Sequence, residues 1–432
     1  MKRVFLFVFL VLAMSSVWAQ KITLEECRQR AREHYPLSRQ YRLIDQSERY
    51  SLDNAARVWI PQVRLSAQAT WQTDAIQFPD ALATMLAAMG NDFQSMRQDQ
   101  YKLAIDVTQS LWDGGYSAAE KGVAQAQAKA DQIAVDVELF ALESRVDNLY
   151  FGILLLDAQK EQLEKQIEVL EENKRRCQVL AENELALVSD VDAVEVELIK
   201  ANQAMNQLHY TCDAYTQMLS LLIGQDLSGT ELVMPDDVTV PLPVVAQPVY
   251  RPELRLFDAK IDYLDAQKRL CKSASMPQFA FFAQGWYGYP GLNMFENMMN
   301  SDWSLNAIVG VSASWSLTPL VTQRNTIGQL NVSQESLRLQ RDVFDFNRQL
   351  QITQEDKEID RLRQTLQDDE RIVALRHSLR EAAENKHENG IVSITEVLNA
   401  ITEESMAQSA QTLHQIELIK KKYELNHIIR ER

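Results

Sequence analysis

The residues of this chain whose types and spacing suit chemistry sit in two turns, and the chemistry they suit is electrostatic. One turn carries Asp190 ahead of Val191. The other reads Asn389-Gly390-Ile391-Val392-Ser393-Ile394-Thr395-Glu396-Val397-Leu398-Asn399-Ala400. Ser393 followed three residues later by Glu396 is the pattern of a capping box at a helix start. A helix start also favours an acidic side chain by its dipole. Covalent and phosphoryl chemistry find no support, because there is no Gly-x-Ser-x-Gly and no Gly-rich phosphate loop ending in Lys-Ser/Thr. Cys27, Cys177, Cys212 and Cys271 lack ligand-like spacing and read as unpaired thiols. His377 and His387 are ten positions apart (387 − 377). A helical zinc pair needs four, so both read as solvated. The sequence thus predicts no enzyme, no cofactor and no metal.

What must position these turns is a pair of long helices. Residues 116–184 contain no proline and only Gly122 and Gly152. Apolar residues fall at Val135, Leu139, Leu142, Val146, Leu149, Ile153, Leu156, Leu163, Ile167 and Leu170, with Lys160 in the one skipped position. Steps alternating four and three are the 3.5-residue period of helices packed along a shared seam. A helix of that extent would be roughly 100 Å long at 1.5 Å per residue. A second rod is expected over 321–389, with a broken seam: Leu339, Val343, Phe346 and Leu350, then Ile359, Leu362 and Leu366, then Ile372, Leu375 and Leu379. Breaks of register suggest changing partners along the rod. Each rod returns as a shorter helix, 190–223 and 395–429. A belt near mid-height is expected where the short helices meet.

An internal repeat underlies this arrangement. Pro36 and Pro61-Gln62 recur as Pro252 and Pro277-Gln278, 216 positions on (252 − 36), with Leu37 and Leu254 following their prolines. Ser110-Leu111 and Asp190-Val191 recur as Ser316-Leu317 and Glu396-Val397, 206 positions on (396 − 190). The change of offset places a ten-residue deletion (216 − 206) between residues 68 and 110. The domains read as 20–225 and 251–432, joined by a Pro-rich segment at 226–250. Ahead of them, 1–19 reads as a signal peptide. Lys2 and Arg3 are its basic region, 4–14 its apolar region, and Val17-Trp18-Ala19 its cleavage site.

Each copy opens with a helix, 23–59 interrupted near Pro36 and 252–273, and continues into two alternating strands. These fall at 62–73 and 101–111, then at 278–288 and 303–316. Val63, Leu65, Ala67, Ala69 and Trp71 alternate with polar residues, and Leu305, Ala307, Val309, Val311, Ala313 and Trp315 do likewise. In the third strand Phe282 and Trp286 fall on the opposite face. About ten residues is the length a tilted strand needs to cross a bilayer. Trp71, Tyr101, Tyr287, Trp303 and Trp315 stand at strand ends as candidate interfacial girdles. Four strands cannot close a barrel, and an open edge in lipid is prohibitively costly, so copies must pool strands. Two chains would give eight strands and three would give twelve; a wide conduit favours three. Loops 74–100 and 289–302 would face outside the cell, the first with a short helix near 81–89.

The turn beginning at Gly390, with Glu396-Val397-Leu398-Asn399-Ala400 opening the return helix, resembles the repeat signature of the TolC family of outer-membrane efflux ducts. Asp113-Gly114-Gly115 and Leu24-Glu25-Glu26-Cys27 are similar to other marks of that family. The resemblance extends over 20–432. It implies a mainly α fold with β: a long antiparallel coiled-coil α-barrel, plus four transmembrane strands per chain in a trimeric twelve-strand barrel. It further implies an exit duct for efflux or secretion in the outer membrane, with a large periplasmic part. Partners would be an adaptor (membrane fusion) protein, an inner-membrane pump and outer-membrane lipid. Under it, Glu396 matches an acidic ring at the narrow end and Asn399 replaces a second acidic position. Val392 stands where the family has a basic gate residue, and Asp190 matches the acid of the first turn. A formal net charge of −16 argues against nucleic acid. A periplasmic coiled-coil tether without transport is the alternative reading.

Overall fold

The computed structural model describes residues 21–90, 95–183, 187–236 and 251–429. The expected signal peptide and positions 237–250 of the Pro-rich segment lie outside the described residues. The described residues form two compact units, each drawing on both halves of the repeat. One comprises those of Met1–Tyr41, Ile133–Leu256 and Gln340–Arg432, the other Arg42–Gln132 and Phe257–Leu339.

In chain order the elements are β1 (Lys21–Ile22), α1 (Leu24–His34), α2 (Gln40–Ala56), β2 (Gln62–Trp71), α3 (Asp80–Ala88), β3 (Asp99–Trp112), α4 (Tyr116–Glu182) and α5 (Val188–Ile223). The second half gives β4 (Glu231–Leu232), α6 (Pro252–Ser273), β5 (Gln278–Tyr289), α7 (Met294–Met299), β6 (Ser304–Ser314), α8 (Thr318–Glu388) and α9 (Ile394–Ile429). α1 starts in a reciprocal cap. The Thr23 hydroxyl accepts from the Glu26 amide at 3.3 Å, and the Glu26 carboxylate accepts from the Thr23 amide at 3.0 Å. It ends before Pro36, which cannot donate to a continuing helix. α8 begins three residues earlier than its periodicity suggests. Pro319 falls in its first turn, where a missing N–H costs nothing.

The strand unit is one four-stranded antiparallel sheet in the order β2-β3-β5-β6. Its register stacks Val63 on Val107, Leu65 on Ile105 and Leu103 on Tyr287, and likewise Ala283 on Val309 and Tyr287 on Leu305. One face is therefore apolar across all four strands, and it is exposed at Val63, Leu65, Ile105, Val309 and Val311. The other carries Arg64, Gln68, Lys102, Asp106, Gln284 and Asn306. A register shift between Ser110 and Trp112 brings Trp112 opposite Phe279, back onto the apolar face.

In the other unit the α4 seam is the core. Val135, Leu139, Leu142, Val146 and Ile153 are buried, as the 3.5-residue period requires. The α8 seam differs. Ile359 and Leu362 are buried, whereas Val343, Phe346, Leu350, Leu375 and Leu379 stay exposed in the single chain. β1 pairs with β4 in parallel, a contact too short to read from the sequence. The buried Tyr150 hydroxyl lies 2.9 Å from the Ile22 carbonyl and 2.6 Å from that of Val233, tying both segments to α4. Beside it, Cys27 is completely buried, and burial pushes its thiol up to about 12. Cys271 is only partly buried. Maleimide at neutral pH is expected to label Cys271 in the folded protein and to reach Cys27 only after denaturation, because the thiolate is the reacting species. Equal labelling rates by mass spectrometry would contradict the packing around α1.

Candidate gate at the helical tips

The end of α8 is set by one backbone motif. Gly390 adopts φ +70°, the left-handed conformation that costs a side chain about 1 kcal/mol or more. Its amide donates to the His387 carbonyl at 2.8 Å, and the Ile391 amide reaches back to Lys386 at 2.9 Å. This is a Schellman closure, and it reverses the chain within four residues. His387 reinforces it, with Nδ1 at 3.0 Å from the Val392 carbonyl. His387 is thus part of the turn and not a solvated residue, a correction to the reading of the sequence.

α9 then starts at Ile394, and its two faces separate cleanly. Ile394, Val397, Leu398 and Ile401 are buried in a cluster with Leu170, Cys177 and Ala383 of the rods and Val194 and Ala201 of α5. Glu396 and Asn399, three residues apart and so on one helical face, are both exposed. The expected Ser393–Glu396 side-chain box is absent among the described hydrogen bonds. Glu396 instead donates its amide to the Ser393 carbonyl at 3.1 Å and leaves its carboxylate to solvent. One half of such a box forms at the other tip. There the Asp190 carboxylate accepts from the Leu187 amide at 3.2 Å, and the Asp190 amide donates to the Leu187 carbonyl at 3.0 Å. Leu187 has no side chain able to accept, so Asp190 turns back alone.

Asp190, Gly390 and Val392 meet at a cavity of about 940 Å³ between the two hairpins, lined also by Arg175, Arg176 and His387. Val392 supplies a methyl-bearing wall and a carbonyl there, with no charge. The hairpins are linked instead by Arg176 and Glu388, 3.9 Å apart and both exposed. An exposed pair of this kind is worth about 0–1 kcal/mol.

Higher on the same hairpin lies a group that sequence reasoning missed. Glu404 of α9 is buried, and its carboxylate takes Arg380 Nε on one oxygen and His377 Nδ1, at 2.8 Å, on the other. Arg380 also reaches Glu384 at 2.7 Å. Burial works against its charge, but the hydrogen bonds it donates to Glu384 and Glu404 outweigh that and hold the guanidinium above its ordinary pKa. His377 is exposed, as its reading as a solvated residue has it, and its Nδ1 also reaches a buried carboxylate. His414 and Asp369 repeat the theme at 2.7 Å. The i,i+4 spacing of Arg380 and Glu384 was visible in the sequence, but partners 24 and 27 positions away were not.

In the strand unit, Tyr101, Tyr287 and Trp303 form one aromatic group at the loop end of the sheet. Trp303 lies 5.7 Å from the Tyr101 ring and 5.4 Å from that of Tyr287. Trp71 ends β2 at the same level, opposite Asp99. At the helix end Trp315 donates to the Ser275 carbonyl at 3.0 Å. Trp112 and Phe279, 5.7 Å apart, lie at that end as well. Alternation alone does not place Trp112, because the register shift changes the face on which it falls.

No protein-family profile matches the chain, and no curated protein matches it. Solved structures do. The outer membrane protein VceC from Vibrio cholerae superposes with a TM-score of 0.66 at 14% identity, over 94% of this chain and 95% of that one. The Campylobacter jejuni CmeC outer membrane channel gives 0.66 at 11%, over 94% and 85%. The open state of the Neisseria gonorrhoeae MtrE outer membrane channel gives 0.62 at 11%, over 94% and 88%. The fold is thus that of outer-membrane channel proteins: long helical hairpins with a four-stranded sheet. Identities this low establish the architecture and leave function to the residues.

Proposed function

We propose that this chain is one protomer of a homotrimeric exit duct in the outer membrane, with a large periplasmic helical part. The carrying observation is the sheet. It is apolar on one face along all four strands, and its order leaves β2 and β6 with outer edges free among the described residues. In lipid such edges must be paired, which further copies of the chain supply; three copies give twelve strands. The exposed apolar seam of α8 supports the same assembly, since neighbouring copies would cover it. The likeness in fold to VceC, CmeC and MtrE supports the channel reading. The duct is passive. No phosphate loop or other energy-coupling site is present in the sequence, so a periplasmic adaptor and an inner-membrane pump would deliver cargo and open the tips. The chain is expected to fractionate with outer membranes and to run as a heat-modifiable oligomer. Release by a salt wash as a soluble monomer would sink the proposal and favour a tether.

At the tips, Glu396 would form one ring of three carboxylates, with Asn399 leaving the second ring uncharged. The carboxylate makes no described hydrogen bond, so it is free to attract cations. Replacing Glu396 by Gln is expected to weaken block by multivalent cations in single-channel recordings by about tenfold, as when several unit charges leave a narrow, poorly screened site. Unchanged block would remove Glu396 from the gate.

A further inference from the structure

The polar face of the sheet is less uniform than its role requires. Phe282 and Trp286 lie on it, opposite Gly310 and Asn306. Gly310 leaves room for that ring, since a Cβ there would fall 2.9 Å from Phe282. Trp286 is buried within the single chain. Lys102 holds its ammonium 4.5 Å from the centre of the Trp286 ring and donates to Gln284 at 2.9 Å. Gln284 in turn donates to Asp106, which also accepts from Ser66 at 3.4 Å. The loop after β5 leans onto the same face. The Leu292 amide donates to the Asn306 side chain at 2.7 Å, and the Asn297 side chain closes on both backbone groups of Gly291. The segment is thus clipped over the sheet at the level of Trp286.

The charges on this face belong to Arg64, Lys102 and Asp106, two cations against one carboxylate. A chain with a formal net charge of −16 therefore turns a net positive strip toward one side of its sheet. Asp106 faces Arg64 across the β2–β3 ladder. Lys102 makes only uncharged described contacts, a ring face and an amide oxygen. Its position, three residues from the loop end of β3, places it beside the clipped segment.

We infer that Lys102, Trp286 and the clipped segment 290–292 form an anion-favouring constriction at the outer mouth, where size is set by the ring and loop and charge by the ammonium. The inference rests on the duct reading, in which the apolar face meets lipid and the polar face lines the lumen. A cation held over an indole keeps its charge while losing reach, so it acts as a fixed element of the wall. Rings of fixed charge at a narrowing set ion preference in channels generally.

The test is zero-current potential in a potassium chloride gradient across planar bilayers, with the purified oligomer. Lys102→Glu is expected to lower the chloride-to-potassium permeability ratio by about threefold or more, the scale of one solvated unit charge reversed at contact range. Lys102→Gln should give roughly half that shift on the same scale. Asn306→Ala, which unclips the segment, is expected to raise single-channel conductance while leaving Lys102 charged. Channels whose ion preference ignores both Lys102 variants would overturn the constriction while leaving the duct intact. A wild-type oligomer that forms no channels would overturn the duct reading itself.

Discussion

Asp147→Ala is expected to cost the helical unit about 2–4 kcal/mol, because it leaves a buried cation with only the exposed Glu25 carboxylate at 3.2 Å as a charged partner. Asp147 and Arg28 are among the few charged residues that this unit buries, with side chains 8% and 7% exposed. They meet side-on. Arg28 Nε donates to one carboxylate oxygen and Nη2 to the other, each at 2.7 Å. Bidentate geometry of this kind gives the strongest charge-assisted bonds available to the chain. Burial acts against the Arg28 charge, but the hydrogen bonds and charge of Asp147, with Glu25 behind, leave its pKa above the ordinary value. The guanidinium stays charged at any pH compatible with folding, so loss of Asp147 cannot be relieved by deprotonation. The Arg32–Glu143 pair, one turn on along α1 and one turn back along α4 at 3.2 Å, is about a third exposed on the arginine side (32%) and cannot compensate. Denaturation followed by helical circular dichroism in detergent checks this. Asp147→Ala should unfold at clearly lower denaturant, and pairing it with Arg28→Met should recover a good part of the loss, since a neutral pair leaves no stranded charge. An Asp147→Ala protein as stable as its parent would mean that α1 does not dock on α4 as described.

Much of this fold was legible because its two periods are long and uninterrupted. The seam from Val135 to Ile153 needed nothing but spacing to declare a buried helix face, and the structure buries those residues. Alternation in β2 and β6 likewise declared one apolar face. What stayed hidden depends on pairings far apart in sequence. β1 and β4, two residues each, carry no period at all. The register shift at Ser110 and Trp112 reverses the parity that alternation relies on, so Trp112 could not be placed. The capping box at Glu396 was sound as a pattern but competes with solvent. At the other tip only the carboxylate half of such a box forms, from Asp190 to the Leu187 amide.

The candidate gate divides the same way. Gly390 was readable because a helix that must reverse needs one left-handed residue, and only glycine takes that conformation freely. Val392 was readable as uncharged, and the structure gives it a use the side chain does not suggest, as the carbonyl that receives His387. The clasp around Glu404 was not readable. Its three members come from two helices whose relative register is fixed only when the hairpin folds, and a glutamate amid a charge-rich helix looks like any solvated residue.

That clasp carries the second large effect. Glu404→Ala is expected to destabilise the α8–α9 hairpin by about 2–4 kcal/mol, below the fully buried case because Arg380 keeps partial access to water. The buried face of α9 below it, from Ile394 to Ile401, packs against α4, α5 and α8 and holds the turn that bears Glu396. Loosening the hairpin at Glu404 therefore frees the segment that the duct reading assigns to the gate. Hydrogen exchange should rise over residues 394–408 while the β2-β3-β5-β6 sheet keeps its protection. In bilayers the closed-state conductance should rise as well. Glu404→Gln should fall between, because its amide oxygen can still accept from Arg380 while the negative charge is gone. Exchange that rises without any gain in conductance would make the clasp purely structural, and exchange that does not rise would mean Glu404 does not hold α9 to α8.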